Sequence, residues 1–194
     1  AIFSEVITIG FMRNNQMIQN SSGISGGAVY LFYSASDTSK VYFSGNVVSA
    51  NSAVIAGGGL CNEAAVDSLF MENNLFTNNS VTNTSSGKGG AIYFKTQAKD
   101  FASIINCSIV NNNALLGGGI YVNDTMNTSV IKNTIMWGNS AAAGHEIYLN
   151  DEQSDPNFYY CAIENGSTDF GLNGNIFTGA YQNNITSNPQ FIAP

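Results

Sequence analysis

The sequence predicts an all-β chain folded as a right-handed, single-stranded parallel β-helix, a solenoid of about six coils with three short strands per coil. Three observations predict it. The composition is polar without being charged: 27 Asn, 21 Ser, 20 Gly and 12 Thr stand among 194 residues, of which only 10% are charged and 44% are hydrophobic. A Gly-rich block returns about every 30 residues. A second motif, two apolar stretches ending on Asn, lies between successive Gly blocks. Residues 1–194 read as one solenoid domain, a piece of a longer protein.

The composition first excludes alternatives. Asn, Gly, Ser and Thr are poor helix formers, and the Lys/Glu/Arg face of a surface helix is missing. Aromatic residues at 11% argue against disorder. A net charge of −7, with no basic stripe, argues against nucleic-acid binding. No apolar run is long enough for a membrane helix. Neither a charged n-region nor a compact h-region follows Ala1, so no signal peptide is read here.

The Gly block reads Gly26-Gly27-Ala28-Val29-Tyr30, then Gly57-Gly58-Gly59-Leu60-Cys61, Gly89-Gly90-Ala91-Ile92-Tyr93 and Gly117-Gly118-Gly119-Ile120-Tyr121. A degraded copy follows at Ala143-Gly144-His145-Glu146-Ile147-Tyr148. The aliphatic residues are spaced by 31, 32, 28 and 27. A period of this size with variable loops is the mark of stacked coils, each strand pairing with its copy one coil on. Six coils at about 4.8 Å per rung make a rod of about 29 Å.

The second motif runs from Val41 to Asn51, Leu69 to Asn79, Ser103 to Asn113 and Ser129 to Asn139, with an earlier copy from Phe11 to Ser21 and a worn one from Phe158 to Gly166. The fourth residue back from the Ser or Asn ends reads Met17, Val47, Leu75, Ile109 and Ile135, and Ile163, three back from Gly166, is set beside them in the worn copy, a core column. Two polar columns follow: Asn51, Asn79, Asn113 and Asn139 at the end of the motif, and Asn15, Asn73 and Asn133 six residues earlier. Stacked Asn amides can bond along the axis and satisfy one another inside a core. Cys107 and Cys161 fall two coils apart, beyond disulfide reach, so three free thiols are expected.

The pairing of Gly-Gly-Ala-(Ile/Leu/Val), as in Gly26–Val29 and Gly89–Ile92, with Phe-x-x-Asn, as in Phe11–Asn14, Phe43–Asn46, Phe70–Asn73 and Phe76–Asn79, resembles the repeats of chlamydial polymorphic outer-membrane proteins. Thr134–Asn139, Glu146–Tyr148 and Asn188–Phe191 resemble the late coils of large secreted bacterial β-helix proteins. The resemblance implies a secreted or cell-surface protein, an adhesin or structural stalk. Two other readings stand beside it. One is a fragment of a polysaccharide lyase or hydrolase, by analogy of fold alone. The other is a filament subunit that associates end to end through open strand edges.

Few residues remain to carry chemistry. His145 and Glu146 replace small residues in the degraded copy, which makes them the candidates for an acid/base pair. The expectation is that Ala28, Gly59, Ala91, Gly119 and Glu146 form an outward column. Asp151, Glu152 and Asp155 form an acidic loop, the candidate for Ca²⁺; no other cofactor is expected. By strand alternation Tyr30, Tyr93, Tyr121 and Tyr148 point outward, in a column whose second member is Cys61. Such rings would form an exposed platform for glycans or a surface protein. Eight Asn-x-Ser/Thr sequons, among them Asn20, Asn83, Asn123 and Asn127, exceed chance only mildly.

Overall fold

A computed structural model of the chain describes residues 2–5, 9–32, 39–63, 67–95 and 101–191, with backbone only for 3–5. It is a parallel β-solenoid of about five turns, with an incomplete turn at either end. Every strand pairing is parallel and joins a strand to its copy one turn away.

Four sheets wrap the rod. Sheet A stacks Ile2–Glu5, Val29–Phe32, Leu60–Glu63, Ile92–Lys95, Ile120–Val122 and Ile147–Leu149. Sheet B stacks Ile9–Arg13, Lys40–Ser44, Ser68–Glu72, Phe101–Ile105, Val130–Lys132, Asn157–Tyr159 and Tyr181–Gln182. Sheet C stacks Gln16–Ile18, Val47–Ser49, Leu75–Thr77, Ser108–Val110, Ile135–Trp137 and Ala162–Ile163. Sheet D, beyond the three strands expected per coil, holds only Ser21–Ser22, Ser52–Ala53 and Ser80–Val81. Single bridges at Asn113 and Ser140 continue it.

The corners between sheets explain much of the Asn excess. Asn14, Gly45, Asn73, Asn106, Asn133, Tyr160 and Asn183 share the corner between sheets B and C, all at positive φ. Gln19, Ala50, Asn78, Asn111, Gly138 and Asn165 form the next corner, again at positive φ. Asn enters this left-handed region more readily than other residues with a side chain. The third corner, Gly26, Gly57, Gly89, Gly117 and Gly144, is all glycine: a Cβ there would meet backbone of the following strand, Val29 O at 2.4 Å in the first case.

The core follows the pairing register, and the register corrects several expected columns. Sheet C aligns Met17, Val48, Phe76, Ile109, Met136 and Ile163, all buried. Val47, Leu75 and Ile135, expected in this column, lie one residue earlier and are only partly covered. Sheet B likewise aligns Phe43 with Met71, Ile104, Ile131 and Phe158. A slip of one residue exchanges the faces of a strand, which is why mixed columns seemed uniformly apolar in sequence. Cys61, Cys107 and Cys161 are free and all buried.

Candidate functional site

The interior polar residues form two axial ladders. In the first, Asn51 Oδ1 accepts the backbone N–H and the Nδ2 of Asn20, both at 2.9 Å. Asn79 does the same for Asn51, Asn112 for Asn79, and Asn139 for Asn112. Each Nδ2 also donates to a carbonyl of the turn before: Asn51 to Met17, Asn79 to Val48, Asn112 to Phe76 and Asn139 to Ile109. Every inner amide therefore accepts two bonds and donates two, the full capacity of the group. The second ladder runs Asn15, Asn46, Asn74, then Cys107 and Thr134, and resumes where Asn184 Oδ1 accepts the Cys161 N–H at 2.8 Å.

Asn51, Asn79 and Asn139 thus stand where the sequence put them, and Asn15 is a ladder residue on the partner column Asn46–Asn74. Asn113 is not in the ladder; it is exposed and its Nδ2 reaches Ser140 O, while its neighbour Asn112 points inward. Asn73 and Asn133 are exposed corner residues at φ 56° and 51°. Each corner is an outward left-handed residue followed at once by an inward one, so a column read without the register alternates between the two.

The ladder ends on Glu146. The column Ala28, Gly59, Ala91, Gly119 and Glu146 faces inward, against expectation: Ala28, Ala91 and Glu146 are at most 1% exposed, and a Cβ on Gly59 would meet Phe76 and Val48. With no further Asn above Asn139, the Glu146 carboxylate accepts its N–H at 3.2 Å and its Nδ2 at 2.5 Å. Burial pushes this carboxyl up to about 8, against the pull of the two Asn139 bonds.

His145 and Glu146 do not form a pair. His145 turns outward and its Nδ1 lies 2.9 Å from Asp169 Oδ2, in the 3-10 turn Gly166–Asp169. In earlier turns a glycine fills this place: a Cβ on Gly118 would meet Ser140 N and O at 2.6 Å. The chain after Asn165 leaves the regular coil for that 3-10 turn, and the larger side chain is accommodated.

The acidic loop is dispersed. Asp151 Oδ1 accepts the Gln153 N–H at 2.9 Å and Asp155 Oδ2 accepts the N–H and hydroxyl of Thr178, while Glu152 is exposed. Among the described residues no three His, Cys, Asp or Glu side chains group as a metal site.

The tyrosine column lies outside the main core, as alternation requires, but it is not an exposed platform. Tyr121 is 1% exposed, and Tyr93 and Tyr148 are 8% exposed. The rings cover one another: Tyr93 and Tyr121 stack with centroids 5.6 Å apart, Tyr121 and Tyr148 at 5.1 Å. Gly171 lies so close to Tyr148 that a Cβ would come within 2.2 Å of the ring, closing that end. Ala56, Leu116 and Ala143 flank the stack, and Lys88 Nζ sits 5.0 Å from the centroid of Tyr121. Rings that share their faces have only edges left for a partner.

The other end of the column holds a polar group that the sequence reading missed. Glu63 accepts the Tyr30 hydroxyl and, at 2.9 Å, Lys95 Nζ. The Tyr30 bond, and then Lys95, hold this carboxyl below its usual range. Glu63 and Lys95 stand opposite each other in neighbouring strands, a cross-strand charge pair visible only once the register is known.

Compared with protein-family models, curated proteins and solved structures, the chain matches none.

Proposed function

We propose that this chain is a non-catalytic structural rod, displayed at a cell surface or secreted, that presents its outer faces for adhesion to glycans or surface proteins. The observation that carries this reading is the economy of the interior. The asparagines of the two ladders and Glu146 are committed to bonds along the axis, so each turn is tied to the next by side-chain as well as backbone bonds. That is the construction of a stiff spacer. The resemblance of the repeats to those of chlamydial polymorphic outer-membrane proteins supports display outside the cell. Antibody labelling of intact source cells, with and without external protease, tests it: surface label lost on proteolysis is expected, and a pool found only inside the cell overturns it.

End-to-end association is a second reading. The first complete turn presents Ile9, Phe11, Ile18 and Ile24 at 46–62% exposure, and among the described residues its sheet B, C and D strands each pair on one side only. Open strand edges recruit further strands. Electron microscopy and size-exclusion chromatography distinguish filaments from monomers.

A further inference from the structure

Sheet B carries a stripe of aromatic rings on its outer face. Val41, Phe43, Leu69 and Met71 of its strands are fully buried, so their neighbours point outward. The register sets Phe11 beside Tyr42 and Tyr42 beside Phe70. Their rings stack with centroids 5.1 and 5.0 Å apart, and Phe101 leans in from the next turn at 5.9 Å. Rings stacked along the axis turn their edges to solvent, and a ring edge carries partial positive charge.

Cations line the stripe. Arg13, Lys40 and Lys132 stand exposed on this face, three of the six Lys and Arg in a chain of net charge −7. The Arg13 guanidinium lies 4.5 Å from the Phe11 centroid, and Lys132 Nζ lies 5.8 Å from that of Tyr160. None of the three cations has an ion pair among the described residues. Exposed Glu72 shares the column of Arg13 and Lys132. Charges of opposite sign therefore alternate along it at every second rung, about 9.6 Å apart.

Tyr160 borders the far end of the face. The other turns give its corner to Asn or Gly, yet Tyr160 stands there at φ 55° and 57% exposed. A bulky side chain is strained in this region, and an exposed ring gains no burial to offset the strain. Strain that packing does not explain points to a role outside the fold.

We propose that the outer face of sheet B binds a uronic-acid polysaccharide, laid along the rod from Arg13 to Tyr160. The inference rests on the adhesive reading above and deepens it by naming the face and the ligand class.

Three arguments select this ligand. The face is about 13 Å across and about 19 Å long, about a third of the roughly 800 Å² that each side of a stable protein pair buries. It suits a few sugars, not a folded partner. Its cations and ring edges favour anionic oxygens, and the Arg13 fork matches a carboxylate. Glu72, midway between the cations, would repel a chain charged at every unit, such as a nucleic acid or a heavily sulfated glycan. It accepts hydrogen bonds from the hydroxyls that a polyuronate carries between its carboxylates.

The test is fluorescence anisotropy of a labelled oligogalacturonate, long enough to span the face, with the whole chain. Comparisons are the same oligosaccharide fully methyl-esterified, a heparin fragment of equal length, and phosphatidylserine vesicles. The galacturonate is expected to bind with a Kd on the order of 0.1 mM, weakening as salt rises. The neutral ester should bind at least tenfold more weakly. Arg13→Gln and Lys132→Gln should each weaken binding about threefold to fivefold. Lys95→Gln removes the same charge from sheet A and should leave binding unchanged. Tyr160→Asn returns the corner to its usual residue, so its melting temperature should hold or rise while binding falls about fivefold. Absent binding, equal binding of the ester, tighter binding of heparin or vesicles, equal binding by the folded sheet B variants, or an equal loss in Lys95→Gln overturns the proposal. Surface labelling of intact cells is read separately, so a surface-displayed rod that binds no polyuronate would lose this site and remain a rod.

Discussion

The carboxylate of Glu146 accepts both the backbone N–H and the side-chain amide of Asn139, taking the place of the next asparagine in the ladder. Its two oxygens each take one of the donors that, in the turns below, share the two lone pairs of a single asparagine Oδ1. The arrangement brings a titratable group to the end of an otherwise neutral column, with Glu164 and Asp169 nearby adding to the cost of its charge.

Stability should therefore depend on pH through Glu146. Its folded-state value, near 8, lies above the ordinary value of 4.5. The folded chain binds the proton more tightly than the unfolded one. The stabilisation is complete below the unfolded value and is lost as pH rises through the folded value. The melting temperature should fall between about pH 5 and pH 8.5, by an amount equivalent to a few kcal/mol. In Glu146→Gln the slope should flatten. That variant should be within about 0.5 kcal/mol of the parent at pH 5, because one amide oxygen can accept both Asn139 donors as it does in the ladder below, and should be the more stable by pH 8.5. Melting curves across this range check both; an unchanged slope in the variant would remove Glu146 as the source.

The ladder assignment predicts opposite results at adjacent residues. Asn112→Ala leaves the Asn79 N–H and Nδ2, and the Phe76 carbonyl, without their partners inside the core. Each orphaned group costs about 1–3 kcal/mol, so a loss of about 3 kcal/mol or more is expected in denaturant titrations. Asn113→Ala removes an exposed side chain whose one bond is a long 3.4 Å contact to Ser140 O. Its effect should stay within about 0.5 kcal/mol.

These two residues also mark how far the sequence could be read. The coil period, the glycine corner and the existence of an asparagine ladder were legible, because each repeats in every turn. Which asparagine of an Asn111-Asn112-Asn113 run faces inward was not. That depends on the one residue at positive φ, here Asn111, and all three positions tolerate the same side chain. The tyrosine column was legible as a column, but not its burial. Ring stacking between turns and closure by Gly171 are tertiary facts with no local signature. Glu146 looked like decay of a repeat, since its partner Asn139 belongs to a different motif.

Close backbone approach at the third corner gives a sharper contrast. A Cβ at Gly58 would lie 2.3 Å from Gly90 O and 2.6 Å from Ser80 O, both backbone atoms that cannot swing away. Gly58→Ala should cost about 3 kcal/mol or more, or prevent folding. At Gly23 a Cβ meets nothing within 4 Å, and its φ is not in the left-handed region. Gly23→Ala should be neutral or stabilising by about 0.4–1 kcal/mol, through the smaller entropy of the unfolded chain. Equal losses at the two sites would refute the packing account.

Asn62 is the one inward asparagine that no ladder serves. It is 2% exposed, in the sheet A column that holds Leu31, Phe94, Val122 and Leu149, and its Oδ1 has no hydrogen-bond partner. The asparagines of the other two columns gain from position: each has a copy one turn away to bond. Asn62 is stacked on Leu31 and Phe94 and has none. A buried polar atom without a partner forfeits its bonds to water and gains nothing in return. Asn62→Val exchanges it for a β-branched side chain suited to a strand and to an apolar column. The variant should be more stable by about 1 kcal/mol, seen as a higher denaturant midpoint at unchanged slope. A drop in stability would mean that Asn62 holds its amide for a partner the folded chain acquires, and would redirect the search for a ligand to sheet A.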